Sequence, residues 1–122
     1  MEILAAYTRA EALADGTLVE VSELAREAGI RAPTAVTRAV WEQYVALSPA
    51  ARQAGNDEIG RLWDIVSMVR CAALRNPDAS EVVFSLRVVI DRLEPELVEL
   101  RAVCGPGDDG ETVITIMLPD ED

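Results

Sequence analysis

The sequence predicts an α+β domain, with helices packed on one face of a three- to four-stranded, mainly antiparallel sheet. Three observations predict it. Apolar residues recur at helical spacing through residues 57–75. Three β-branched, roughly alternating runs then follow in succession: EVVFSLRVVID, ELVELRAVC and ETVITIML. The chain has 122 residues, enough to bury one core and too few for two, so residues 1–122 are expected to form one domain. Within it, 1–77 read as a mainly helical half and 78–122 as an acidic β-meander.

The elements can be justified in order. Thr8 and Glu11 have the spacing of a capping box, in which hydroxyl and carboxylate satisfy the first free amides of a short helix. Gly16 ends that helix, and TLVEV (17–21) reads as a short strand that can add a fourth to the sheet. Ser22 is placed to cap a second helix that stops at Gly29. Pro33 is tolerated in a first helical turn and opens a third helix through about Leu47. Ser48-Pro49 restarts the chain. Asn56 or Asp57 caps the longest helix, about 57–75, whose core stripe is Ile59, Leu62, Trp63, Val66, Val69 and Ala73. Trp41 and Trp63 are expected as anchors of the same core.

After RNPDAS the period changes from helical to alternating. The turn chemistries RLEP and GPGDDG separate the three runs. Alternation places Val82, Phe84, Leu86, Val88 and Ile90 toward the helices, with Val98, Leu100, Ala102 and Cys104, then Ile114, Ile116 and Leu118. Val83, Arg87, Val89, Asp91, Glu99, Arg101, Val103, Glu111, Val113 and Met117 fall on the opposite face.

Composition narrows the chemistry. There is no His and no Lys, which removes the commonest general base and the usual Schiff-base nucleophile. Cys71 and Cys104 are expected to stay reduced as small apolar filler, and two cysteines without His make no structural zinc site. The loop GPGDDG lacks the Lys and Ser/Thr of a phosphate loop and the ligand spacing of a calcium loop. No catalytic residue, metal ligand or cofactor is expected, and the chain is not read as an enzyme. No apolar run approaches the ~20 residues of a membrane span, and the first dozen residues lack a secretory pattern, so a cytoplasmic protein with no membrane partner is expected.

Charge is the strongest signal. Residues 1–77 carry ten Asp/Glu and eight Arg, a net of −2, whereas 78–122 carry twelve and three, a net of −9; together these make the −11 of the whole chain. Such a field repels nucleic acid and attracts basic surfaces. VSELAREAGIRAPTAVTRAV (21–40) nevertheless resembles the helix-turn-helix of the lactose-repressor family through Leu24, Ala25, Ala28, Gly29, Ile30, Thr34, Val36 and Arg38. That resemblance implies a second helix lying in the major groove. The segment departs from the pattern at Ala35 and Arg38, where the family has apolar side chains. Three Arg against four Glu between Val19 and Val45 give it no positive footprint, and no direct nucleic-acid binding is expected.

The candidate partner-binding residues are Glu94, Glu96, Glu99, Asp108, Asp109 and Glu111, which come from a turn, the strands beside it and a loop. Carboxylates on a strand lattice, spaced ~7 Å along and ~4.8 Å across, make a dense anionic surface suited to a cationic groove. YTRAEALADGTLVEVSELAREAGIRAPTAVTRAVWEQYV, EIGRLWDIV and GPGDDGETVITIM are also similar to an uncharacterised family of small acidic proteins encoded on bacterial plasmids and prophages. That company implies an anti-CRISPR-like inhibitor. It would bind the basic DNA-binding groove of a CRISPR effector or other defence complex, as a monomer or weak dimer, and block target engagement by acidic DNA mimicry. A helix-turn-helix regulator and a plasmid-maintenance accessory protein are the alternatives.

Overall fold

The computed structural model describes residues 7–90 and 94–121. Asp91, and the first two residues of the RLEP turn, lie outside the described residues. The first helix, α1 (Arg9–Asp15), carries the expected capping box: the Thr8 hydroxyl accepts from the Glu11 amide, and the Glu11 carboxylate accepts from the Thr8 amide. Gly16 ends it in the left-handed region, φ 83°. Strand β1 (Leu18–Glu20) follows, then α2 (Ser22–Glu27).

Here the structure corrects the sequence. Thr34–Thr37 is a strand, β2, and not the start of a helix. Proline fixes its own φ and donates no hydrogen bond, so it serves a strand entrance as well as a first helical turn. The residues after it, TAVT, are β-branched at three of four positions. What decides between the two is a distant partner: β2 runs parallel to β5 (Thr112–Met117), with Thr34 opposite Ile114 and Val36 opposite Ile116. Thr34, Ala35 and Val36 are all fully buried. The reading helix of a helix-turn-helix would begin in this segment, so residues 21–40 do not have that geometry.

A helix begins only at Arg38. The short α3 (Arg38–Val40), capped by the Thr37 hydroxyl, widens at once into a π-helical turn, Trp41–Val45. Ser48 caps α4 (Pro49–Gln53), and its hydroxyl also donates to the Ile90 carbonyl. Asp57 caps α5 (Glu58–Arg75) through the Gly60 amide at 2.6 Å. Strands β3 (Glu81–Val88) and β4 (Glu96–Pro106) then form the long hairpin of the sheet.

The sheet is five-stranded and mixed, in the order β1-β2-β5-β4-β3. Only the β2–β5 pair is parallel. The expected three-stranded meander is present, and the predicted extra strand is its far edge; β2 is the strand that joins them. The core lies between the sheet and α2, α5 and the π-helical turn. Leu100 and Ile116 from the sheet meet Ile65 and Val66 of α5 and Val40 and Val45, all essentially inaccessible to water. Burial of such apolar side chains is the main stabilising term, at about 1.5–3 kcal/mol each.

Three further expectations are corrected. The buried residues of α5 are Arg61, Leu62, Ile65, Val66 and Val69, whereas Ile59 and Trp63 are exposed, at 70% and 42%, and so is Ala73; of the two tryptophans only Trp41 packs against the core. Cys71 and Cys104 are free and exposed, so neither is core filler. Finally, helices lie on both faces of the sheet. Val113 and Met117 point away from the main core yet are 5% and 7% exposed, because α1 lies over that second face and buries Ala12 there. Val89 is buried too, since β3 and its alternation end at Val88.

Candidate functional site

β4 is the backbone of the candidate site, and its direction decides which acids come together. Glu94 and Glu96 sit at its start and Glu99 three residues on, opposite Ser85 of β3. Asp108, Asp109 and Glu111 lie in the loop beyond its other end. Ten residue steps at ~3.3 Å separate Glu96 from Pro106, so the two groups of acids are about 30 Å apart. The six carboxylates therefore form two clusters at opposite ends of one strand.

The loop cluster is largely committed to the fold. The Asp108 carboxylate accepts hydrogen bonds from the Arg9 and Ala10 amides at 2.8 and 2.9 Å. It thereby satisfies two of the free donors at the start of α1. Those main-chain bonds, first from Ala10 and then from Arg9, hold its pKa below the ordinary carboxylate value. Glu111 turns back over its own loop: its carboxylate accepts from the Asp109 amide at 3.1 Å, and a Cβ on Gly107 would run into it. Asp109 is exposed.

The β4 cluster is different. Glu94, Glu96 and Glu99 are exposed, and among the described residues none of them is in an ion pair. Leu97, 64% exposed, shares the second face of the sheet with Glu99, and Val83, 54% exposed, lies on that face further along β3, opposite Arg101, whereas Glu96, opposite Val88, is on the core-facing side. Arg87 is opposite Leu97. Arg101, the next basic residue along β4, is paired with Glu81 at 3.2 Å and also donates to the Glu121 carbonyl. Carboxylates mixed with apolar side chains on a free sheet corner give a surface that can exclude water from a partner and orient it by charge.

The second feature is a groove of about 830 Å³ between α1 and the second face of the sheet, lined by Tyr7, Arg9, Ala12, Leu18, Thr37, Val103, Val113, Thr115 and Met117. Arg9 spans its wall, donating to the Thr115 hydroxyl at 2.8 Å and to the Ile114 carbonyl at 3.0 Å. Burial lowers the guanidinium pKa, and Glu20, Asp108 and Glu111 act against that shift. At the far end of α1 the Tyr7 hydroxyl donates to Asp15 and to the Thr17 hydroxyl. The bond from Tyr7, with those from Thr17, holds Asp15 at a pKa of about 2.

Sequence reasoning missed Arg9 and Arg38 as structural links. Arg38 is neither buried nor presented to a groove of DNA. It closes the C-terminal end of α1, donating to the Gly16 and Asp15 carbonyls at 2.9 Å each. The signal that could have found it is the left-handed Gly16, which leaves carbonyls at that helix end for a cation to meet.

Among the described residues no group of three His, Cys, Asp or Glu side chains is placed to hold a metal ion, and no helix is long and apolar enough to cross a membrane. No curated protein and no solved structure matched the chain. A model of a family of unknown function, DUF6573, matches residues 1–122, and the chain belongs to that family.

Proposed function

We propose that the chain is a protein-binding module whose outer β3–β4 corner docks on a basic surface. In the fuller form of this proposal it is an anti-CRISPR-like inhibitor that occupies the DNA-binding groove of a host defence complex and blocks target engagement. The observation that supports it is exposed Glu99 beside exposed Leu97 on the second face of the sheet, with Glu94 and Glu96 exposed at the same end of β4 and, among the described residues, none of the three in an ion pair. An interface with a cationic partner uses both, the charge for steering and the apolar area for affinity. The contact set is three carboxylates rather than six, because Asp108 is engaged in capping α1, Glu111 folds back over its own loop, and Asp109 lies with them at the far end of β4.

The test is a DNA-binding assay on a purified CRISPR effector, with and without this protein. The expected outcome is that the wild type reduces duplex binding and that Glu94→Arg/Glu96→Arg/Glu99→Arg does not, while Asp109→Arg inhibits as the wild type does. Full inhibition by the triple variant would exclude this face. Inhibition by neither protein, across effectors of several types, would exclude the defence-complex reading.

A further inference from the structure

We propose that α5 is the interface of a two-fold dimer of this chain, in which the C-terminal half of each copy's α5 lies in the acidic groove beside the N-terminal half of the other's. The starting observation is a stripe that the fold leaves uncovered. Ile59, Trp63 and Leu74 are 70%, 42% and 67% exposed, and with exposed Arg70 they lie on one flank of the helix. At about 100° per residue their spacing keeps all four within roughly 60° around the helix axis. Exposed apolar side chains scattered singly need no explanation, but a stripe along a whole helix is what one helix presents to another.

The two ends of α5 differ, and the difference selects the occupant. Beside its first turns is a groove of about 1020 Å³ between α2 and α5, with Leu24, Ile59 and Leu62 along it. Glu20, Glu23 and Glu27 line it too, against one base, Arg26. The other end of the helix is basic: residues 65–77 hold Arg70 and Arg75 and no acid, in a chain of net charge −11. Glu23, Glu27, Arg70 and Arg75 are exposed, and among the described residues none of them is in an ion pair. An acidic groove and a basic, apolar ridge are complementary in charge and in chemistry. Within one copy they cannot meet, because Ile59 and Leu74 are about 22 Å apart along a rigid helix. A second copy brings them together.

The arrangement that engages both ends of both copies, and then closes, is antiparallel about a two-fold axis at the middle of α5, between Val66 and Ser67. Ile59 then faces Leu74 of the second copy, and Trp63 faces its Arg70, where guanidinium over indole adds a cation–π contact. Arg75 of the second copy comes to the groove that Glu23 and Glu27 line. The opposed helix dipoles add to the attraction. Trp63, exposed in one copy, becomes a central anchor of the pair, the place that aromatic side chains take in interfaces. Glu94, Glu96, Leu97 and Glu99 are no part of this surface, so dimerisation and docking at the β3–β4 corner are separable.

The experiment is equilibrium sedimentation of the full chain from micromolar to millimolar concentration, with tryptophan emission read in parallel. The mass should rise from 13.2 kDa to twice that value, and the emission should shift to shorter wavelength with the same midpoint as Trp63 is covered. Glu23→Arg/Glu27→Arg and Arg70→Glu/Arg75→Glu each set like charges across the interface. Each should dimerise at least about tenfold more weakly than the wild type, and their equimolar mixture should regain wild-type affinity as a heterodimer. Leu74→Glu replaces an exposed side chain, which spares the fold, and should weaken dimerisation by at least about tenfold. It keeps the test decisive if a charge-reversed variant does not fold. A wild type that stays monomeric throughout the series would overturn the proposal. Dimerisation undiminished in Leu74→Glu would overturn the assignment to α5. A mixture of the two folded charge variants that fails to associate would overturn the antiparallel arrangement.

Discussion

Asp108 accepts hydrogen bonds from the main-chain amides of Arg9 and Ala10, so the loop after β4 caps a helix that begins 99 residues earlier in the chain. One contact joins the two ends of the fold and fixes α1 across the second face of the sheet. Asp108→Ala should therefore loosen α1 selectively. Amide exchange at Arg9 and Ala10 should accelerate, with little change at Leu100 or Phe84, which belong to the main core. The pH dependence has a definite sign. The Asp108 pKa is depressed in the fold, so its contribution is present above the unfolded value near 3.8 and is lost as pH falls through the folded value. Unchanged exchange at Arg9 and Ala10 in the variant would count against the cap.

A second prediction concerns the other end of α1. Tyr7 donates to Asp15 and is the first cause of its depressed pKa of about 2. In Tyr7→Phe the Asp15 carboxyl should titrate closer to 3.8, and its chemical shift against pH reads this directly. The stability linked to Asp15 is present above 3.8 and disappears toward pH 2 in the wild type; in the variant that contribution should be smaller. An Asp15 midpoint that stays near 2 would mean Thr17 alone sets it.

The core makes a third prediction through a contrast. Leu100 is fully buried against α5, whereas Trp63 is 42% exposed on the outer side of the same helix. Leu100→Ala should cost about 2–5 kcal/mol, read by denaturant unfolding. Trp63→Ala should cost under about 1 kcal/mol despite removing the larger side chain. Comparable losses would show that Trp63 belongs to the core after all.

Trp63 also shows where the sequence could be read and where it could not. The Thr8–Glu11 box, the Asp57 cap and the β3–β4–β5 alternation depend on neighbours in sequence, and each was legible. The exact stripe of α5 depends on how wide a face the sheet covers. The helical period fits Ile59 and Trp63 as well as Ile65, and only the packed sheet selects Ile65. β2 was hidden for a stronger reason. Its four residues are stabilised by parallel pairing with β5, and no local signal announces a partner 80 residues away. The spacing of Ala25, Gly29 and Ile30 that imitates a repressor meets a real steric demand of another kind. Ala25 is fully buried on the inner face of α2, and Gly29, at φ 99°, lies against Arg70, where a Cβ would collide with the guanidinium. The six acids were legible as residues, but their separation into two clusters follows from the direction and length of β4, which composition does not encode.

Ser22 gives the last prediction, and it discriminates between the two readings of residues 21–40. As a helix cap its hydroxyl would serve the next turn of α2. In the structure α2 has no side-chain cap, and the Ser22 hydroxyl reaches across to β2. It accepts from the Thr34 amide at 2.9 Å and lies 3.3 Å from the Thr34 carbonyl, while Glu20 accepts its proton. Thr34 is fully buried, so Ser22→Ala leaves a buried amide without its acceptor, at a cost of about 1–3 kcal/mol. Lost protection should be concentrated at Thr34 and at its β5 partner Ile114. A loss confined to the first turn of α2 would restore Ser22 to the role of a cap and remove the pin between α2 and β2. Ser22→Thr, which keeps the hydroxyl, should recover most of the protection at Thr34 if the pin is the cause.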